Sequence, residues 1–243
     1  MIKAVILAAG RGKRISAHMN DKPKPLIPIF GKPLIEYPLE ALKENGIEKC
    51  VIVVGYKAEK IREYLGNGEK YGLKIEYVYN PEFDDGNGVS LYYARQLLDE
   101  NEPFLVLMAD HLVDSEIVRR ALQSIENKPL LCIDYSPKYS PQLKDATRVL
   151  INTEGYIQDI GKELTEWNGV DTGVFILDKR IFEAIEKVKG KTRASLSKCI
   201  KRMISDGVKL WACNVSGLFW LDIDLPEDLE FAEKTLAEMK TFA

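Results

Sequence analysis

Short apolar runs alternate with amphipathic stretches along the first 135 residues of this chain. Ala4–Ala9, Val51–Val54, Ile75–Tyr79, Phe104–Met108 and Leu130–Tyr135 are apolar throughout or nearly so. Runs of that length without regular polar alternation predict strands buried on both faces. Between them, residues 34–45, 57–65, 89–99 and 114–126 read as helices, and Gly46 and Gly66 stand where two of those helices would end on a left-handed residue. Strands alternating with helices imply right-handed crossovers. The predicted fold class is therefore α/β: a Rossmann-like, mixed but mostly parallel sheet with helices on both faces.

The pattern changes after Tyr135. Residues 136–144 carry Ser and Pro turn signals, and Arg148–Ile151 and Tyr156–Ile160 then predict a hairpin around Glu154-Gly155. Val170–Leu177 reads as a further strand. Helices near 179–187 and 195–206, strands near 208–214 and 218–222, and a last helix over 226–240 complete the chain. The whole reads as one continuous domain over 1–243, with a nucleotide-binding half at about 1–135 and a more irregular, acceptor-facing half at about 136–243.

Composition narrows the function. Hydrophobic residues make up 46% of the chain, enough for a sizeable core. The net charge of −3 argues against a general nucleic-acid surface, which carries a basic excess. Basic residues nevertheless gather between 11 and 32. Cys50, Cys132, Cys199 and Cys213 are widely spaced with no C-x-x-C, which disfavours zinc and disulfides and favours buried thiols in a reducing compartment. No apolar run approaches the ~18 residues of a membrane span. Met1-Ile2-Lys3 leads straight into a strand with no signal peptide, so a cytoplasmic location without membrane insertion is expected. Abundant charge with little glutamine leans towards heat adaptation. The pattern is compatible with a homodimer.

The chemistry concentrates where the first strand ends. Leu7-Ala8-Ala9-Gly10-Arg11-Gly12-Lys13-Arg14-Ile15 alternates glycine with cations, and Pro23-Lys24-Pro25-Leu26 presents a lysine from a stiff segment. Glycine lets backbone N–H groups approach phosphate oxygens, and cations neutralise them. The dinucleotide fingerprint fails because Ile15 stands where its third glycine belongs, and the Walker loop fails because Arg14 follows Gly12-Lys13. Asp110 follows the strand ending near Ala109, at the sheet's carboxyl edge, where ligands of such sheets bind. A hard cation such as magnesium takes one or two carboxylates plus substrate phosphates, and Asp110 suits that role. Asp222 and Asp224 alternate along a strand-like stretch and can face one side, although Asp224 also resembles a cap of the last helix. The two histidines, His18 and His111, show no spacing typical of a hydrolase triad and receive no role.

These motifs resemble the nucleotidyltransferases that join a nucleoside triphosphate to a phosphorylated sugar or alcohol, and among them the inositol-1-phosphate cytidylyltransferases. The resemblance spans nearly the whole chain and implies the nucleotidyltransferase type A (GT-A-like) fold. It implies that Leu7, Ala8, Ala9, Gly10, Arg11 and Gly12 hold the triphosphate with Arg14, and that Lys24 contacts the reacting phosphates. It places base recognition on the loop carrying Asn80, Asn87, Gly88 and Ser90, where N-x-x-S-L resembles the cytidine-using members. It puts acceptor binding on Lys162, Asp171, Thr172 and Gly173. The second metal carboxylate comes from the Trp220–Asp228 segment, with Asp222 and Asp224 both open. The implied cofactor is Mg2+, and the implied substrates are CTP and a phosphorylated polyol, giving CDP-inositol and pyrophosphate. Three alternatives stay open. One is a phosphocholine cytidylyltransferase, with Trp167, Trp220, Tyr92 and Tyr93 as a cation cage. The others are a sugar-1-phosphate guanylyl- or uridylyltransferase and a catalytically silent nucleotide-sensing subunit.

Overall fold

The computed structural model describes residues 2–16, 22–139, 143 and 145–241; His18 and part of the 136–144 turn segment lie outside the described residues. In chain order the strands are β1 (Lys3–Ala8), β2 (Pro28–Ile29), β3 (Lys32–Pro33), β4 (Lys49–Val54), β5 (Lys74–Tyr79), β6 (Phe104–Met108), β7 (His111–Val113), β8 (Leu130–Asp134), β9 (Arg148–Ile151), β10 (Ile157–Gly161), β11 (Gly169–Leu177), β12 (Trp211–Asn214) and β13 (Trp220–Asp222). The helices are α1 (Lys13–Ser16), α2 (Glu36–Glu44), α3 (Ala58–Leu65), α4 (Asn87–Ala94), α5 (Ser115–Gln123), α6 (Arg180–Val188), α7 (Leu196–Ser205) and α8 (Pro226–Thr241).

The main sheet runs β10-β9-β11-β6-β1-β4-β5, with β8 on β11 and β12 on β8. β1 pairs in parallel with β4 and β6, and β4 with β5, so the strands of the first half of the chain form a parallel sheet. β11 runs antiparallel to β6, β8 and β9, which returns β8 and β9 to the common direction. Among the described strands of this sheet only β11 and β10 oppose the rest, so the sheet is mixed but mostly parallel. The hairpin expected at 148–160 is β9–β10. Asn152 Oδ1 accepts from the N–H groups of Glu154 and Tyr156 there.

Both faces of the sheet are buried, which explains the unbroken apolar runs. In β1 the residues Ala4, Ile6 and Ala8 pack on one side with Leu39 and Leu42 of α2, Ile61 of α3 and Ile117 of α5. Val5 and Leu7 pack on the other with Val89 of α4, Phe182 of α6 and Ile200 of α7. Phe104 and Phe182 stack there with centroids 5.6 Å apart. A third cluster lies under the carboxyl ends of the strands: Ile15, Ile27, Ile29, Leu34, Leu112, Leu221 and Ile223, closed by Ala232 of α8. It joins the glycine loop, the lysine segment, β7 and β13, so the residues expected to do chemistry stand on one small apolar floor. No helix among the described residues is long and apolar enough to cross a membrane.

Candidate active site

Leu7 and Ala8 end β1 inside the sheet, and Ala9 is buried just beyond. Gly10 is exposed, and a side chain there would meet nothing within 4 Å. Gly12 is different. Its φ is +58°, and a Cβ at that position would lie 2.6 Å from Lys24 Cβ, so the glycine loop and the lysine segment pack directly on one another. Arg11 makes a bidentate pair with Asp84 at 2.8–3.1 Å and lies over the Tyr56 and Phe83 rings.

Lys24 opens a short 3₁₀ turn at Lys24–Leu26 and is only 5% exposed. Its Nζ donates to Asp110 Oδ2 at 2.6 Å and Asp224 Oδ1 at 2.7 Å, and lies 3.6 Å from Asp222 Oδ1. Burial works against its charge, but Asp110, Asp222 and Asp224 outweigh burial and raise its pKa above the ordinary lysine value. Arg14 donates to the other oxygen of Asp224 and to Asp145 Oδ2, the latter at 3.1 Å. Lys162 pairs with Asp145 Oδ1 at 2.9 Å. One chain of ion pairs thus runs from Lys162 in the second half of the chain, through Asp145, Arg14 and Asp224, to Lys24 and Asp110.

β7 and β13 build the carboxylate group. They form a two-stranded antiparallel ladder in which Asp222 faces His111. Trp220 Nε1 donates to the buried Asp134 Oδ2 at 2.9 Å, which fixes β13 against β8. Oxygens of Asp110 and Asp222 and a nitrogen of His111 lie within 4.8 Å of one another. His111 Nδ1 is 3.1 Å from Asp110 Oδ1 and 3.7 Å from Asp222 Oδ1. Burial opposes the imidazolium, but Asp222 and then Asp110 hold its pKa up at about 9. Burial likewise disfavours the Asp110 carboxylate, but Lys24 and His111 override it and hold Asp110 well below the usual range. Burial raises Asp222 to about 6, partly offset by Lys24 and His111. Its Oδ1 is buried and accepts no hydrogen bond. A buried carboxylate oxygen that accepts no hydrogen bond, beside a second carboxylate, fits a hard divalent ion, which takes oxygen donors.

The ladder separates the two candidate carboxylates. Asp222 joins the donor group, whereas Asp224 is committed to Lys24 and Arg14. The capping alternative for Asp224 is not taken up by its side chain, whose oxygens meet Lys24 and Arg14; Asp228, in the first turn of α8, instead accepts at one oxygen from the N–H groups of Asp224 and Leu225. His111, assigned no role from the sequence, lies between the two carboxylates. Its partner Asp222 is distant in sequence, and a lone histidine carries no local signal of that.

The loop expected to read the base is less open than its composition implies. Asn80 is fully buried; its Nδ2 donates to Ser90 Oγ at 3.0 Å and its Oδ1 accepts from Glu82 N at 2.8 Å. These two side chains shape the loop and present no edge to a base. Asn87 stays at the surface, with Oδ1 accepting from Leu196 N at 2.7 Å. Gly88 seats α4 against α7 and the residues leading into it: a Cβ there would lie 2.8 Å from Cys199 Sγ and 2.7 Å from Ala194 O.

Among the residues expected to bind the acceptor, strand alternation splits Asp171 from Thr172. Asp171 Oδ1 accepts from Gly173 N at 2.7 Å, and burial raises its pKa to about 6 against the lowering effect of that bond. Thr172 is turned to the opposite face, fully buried, with Oγ1 donating to Cys132 O at 3.0 Å. It is therefore not placed to touch an acceptor. Gly173, at φ +80°, lies against His111: a Cβ there would be 2.6 Å from Cδ2 of that ring. The four aromatics of the choline alternative do not form one cage. Trp167 lies under Arg148, Trp220 bonds Asp134, and Tyr92 and Tyr93 flank Lys189. Cys50, Cys132, Cys199 and Cys213 are buried thiols, as expected.

A mostly parallel sheet with a glycine loop, a buried lysine and a carboxylate group at its carboxyl edge is laid out to bind a polyphosphate beside a metal ion, as a nucleotidyltransferase does. Residues 3–239 match the Nucleotidyl transferase family, and the chain belongs to it. It is 32% identical over 234 residues to the bifunctional IPC transferase and DIPP synthase of Rubrobacter xylanophilus, covering 96% of this chain and 51% of that protein. It is 34% identical over 237 residues to the protein of the same name in Aquifex aeolicus, covering 97% and 52%. The chain thus spans about half the length of the curated relatives it matches. Among solved structures, the inositol-1-phosphate CTP transferase from T. maritima is similar over 96% of both chains, with a TM-score of 0.82 and 27% identity. A UDP-glucose pyrophosphorylase complexed with UDP-glucose shares the fold, with a TM-score of 0.81 at 22% identity over 98% of this chain and all of that one.

Proposed function

We propose that this chain transfers CMP from CTP to inositol 1-phosphate in a magnesium-dependent reaction, releasing pyrophosphate and CDP-inositol. The observation that carries the reaction class is the meeting of Lys24 and Arg14 with Asp110, Asp222 and Asp224 at the carboxyl edge of β1. The choice of CTP and inositol 1-phosphate rests on likeness to the T. maritima transferase across essentially the full length of both chains.

The acceptor phosphate is already an anionic nucleophile, so the reaction needs no general base. One of its oxygens attacks the α-phosphorus and the bond to pyrophosphate breaks in line. Catalysis then rests on positioning and on fixed charge. The glycine loop offers backbone N–H groups to the triphosphate. Lys24 and Arg14 stand where charge builds up and neutralise it. Lys162 and Asp171 hold the acceptor from the other side, through its phosphate and a hydroxyl. Magnesium, when held by Asp110 and Asp222, supplies Lewis-acid polarisation of the phosphate oxygens.

The test is pyrophosphate release with each of the four nucleoside triphosphates against inositol 1-phosphate, phosphocholine and sugar 1-phosphates. The reading expects the highest kcat/KM with CTP and inositol 1-phosphate, complete loss with chelator and return with magnesium. A higher kcat/KM with GTP or UTP, or with phosphocholine, overturns it.

A further inference from the structure

We propose that Lys24, besides its contact with phosphates, acts as a cation held in the metal site until the nucleotide arrives, so that a bare divalent ion and the triphosphate bind as a coupled pair. The inference rests on the metal and nucleotide roles proposed above and deepens them. Lys24 Nζ bonds Asp110 Oδ2 and Asp224 Oδ1 at 2.6 and 2.7 Å and sits 3.6 Å from Asp222 Oδ1, which accepts no hydrogen bond. Two of its three carboxylate neighbours, Asp110 and Asp222, belong to the group that fits a metal ion. The lysine has little room to withdraw on its own: it is 5% exposed, and Gly12 packs on its Cβ. Arg14 adds a second positive charge at Asp224.

A divalent ion entering this site alone meets an ammonium group a few ångströms away and takes that ammonium's counter-ions. Both effects oppose it, and more strongly in a buried site than in water. A triphosphate reverses the balance. Its oxygens offer Lys24 and Arg14 new partners, release Asp110 and Asp222, and complete the coordination of the metal. Coupling of this kind is reciprocal, so nucleotide raises metal affinity by the factor by which metal raises nucleotide affinity.

The experiment measures Mn2+ binding to the full chain without nucleotide, from the electron paramagnetic resonance signal of free Mn2+. Wild type, Lys24→Met, Lys24→Arg and Asp110→Asn are compared. Lys24→Met, similar in length but uncharged, is expected to bind Mn2+ about 5–150-fold more tightly than wild type, the usual range for site–site coupling. Lys24→Arg keeps the charge and is expected to match wild type. Equal or weaker binding by Lys24→Met, or equally tightened binding by Lys24→Arg, overturns the inference and leaves the metal site standing. Mn2+ binding that Asp110→Asn does not diminish overturns the metal site itself. If Lys24→Met does not fold, wild type alone decides. A non-hydrolysable CTP analogue should then tighten Mn2+ binding beyond what the analogue binds in solution, and independent binding of the two overturns the proposal.

Discussion

The two sides of the site are built differently. On the nucleotide side Lys24 is buried, packed by Gly12 and held by three carboxylates, above an apolar floor shared by Ile15, Ile27 and Leu221. On the side proposed to hold the acceptor, Lys162 is half-exposed and pairs with Asp145, itself half-exposed on a loop. A residue fixed from several directions has little freedom of position, so chemistry placed there tolerates little change. A long side chain on the rim can be exchanged without disturbing the fold, which suits the part of a site that distinguishes one acceptor from another.

That contrast predicts a graded set of effects. Lys24→Ala should lower kcat by about 10²–10³, the usual effect of removing one preorganised electrostatic stabiliser. Steady-state pyrophosphate release measures it, and near-normal turnover would erase the distinction between the two sides. Gly12→Ala should act through Lys24: the new methyl meets the lysine's Cβ, and a displacement of that kind can cost about 10²-fold. A crystal structure of the variant should show the lysine shifted; an unmoved lysine with full activity breaks the link between loop and lysine. Lys162→Ala should raise KM for the acceptor roughly tenfold, as for loss of one charged hydrogen bond, with KM for CTP little changed. Equal changes in both KM values would mean that Lys162 serves both substrates.

The smallest expected effect is on stability. The Asp171 carboxyl has a folded pKa of about 6 against an ordinary 3.8, raised by burial. The folded state therefore holds that proton more tightly, and the aspartate increasingly destabilises the fold as pH rises from about 4 to 6. Asp171→Asn still accepts from Gly173 N and should stabilise the protein above pH 6 by on the order of 1–2 kcal/mol, allowing for partial exposure. The gain should vanish below about pH 4. Thermal melts at several pH values test this, and a gain that does not depend on pH contradicts it.

Much of the nucleotide side was legible because its signals are local. An apolar strand ending in glycines and cations, followed by a proline-flanked lysine, occupies one short stretch of chain, and burial on both faces makes each strand stand out. The carboxylate ladder was half legible. Trp220–Asp222 shows strand character, but its partner His111–Val113 is only three residues long, and their register exists only once the chain has folded. The β2–β3 hairpin was missed because Phe30-Gly31, both at positive φ, is not among the usual turn pairs. That Asn80 and Ser90 bond each other inside the loop was not legible, because the sequence shows their polar groups and not the fold that joins them. Thr172 was legible in principle: period-two alternation turns it away from the face Asp171 uses. Asp145 carries no motif, and only the folded chain sets it between Arg14 and Lys162.

The most direct test of the account is the product itself. Purified protein incubated with CTP, inositol 1-phosphate and magnesium should yield CDP-inositol by mass spectrometry, with one pyrophosphate per molecule formed, and Lys24→Ala should yield neither at a comparable rate. Pyrophosphate released without CDP-inositol, or product formed equally well by Lys24→Ala, would contradict it.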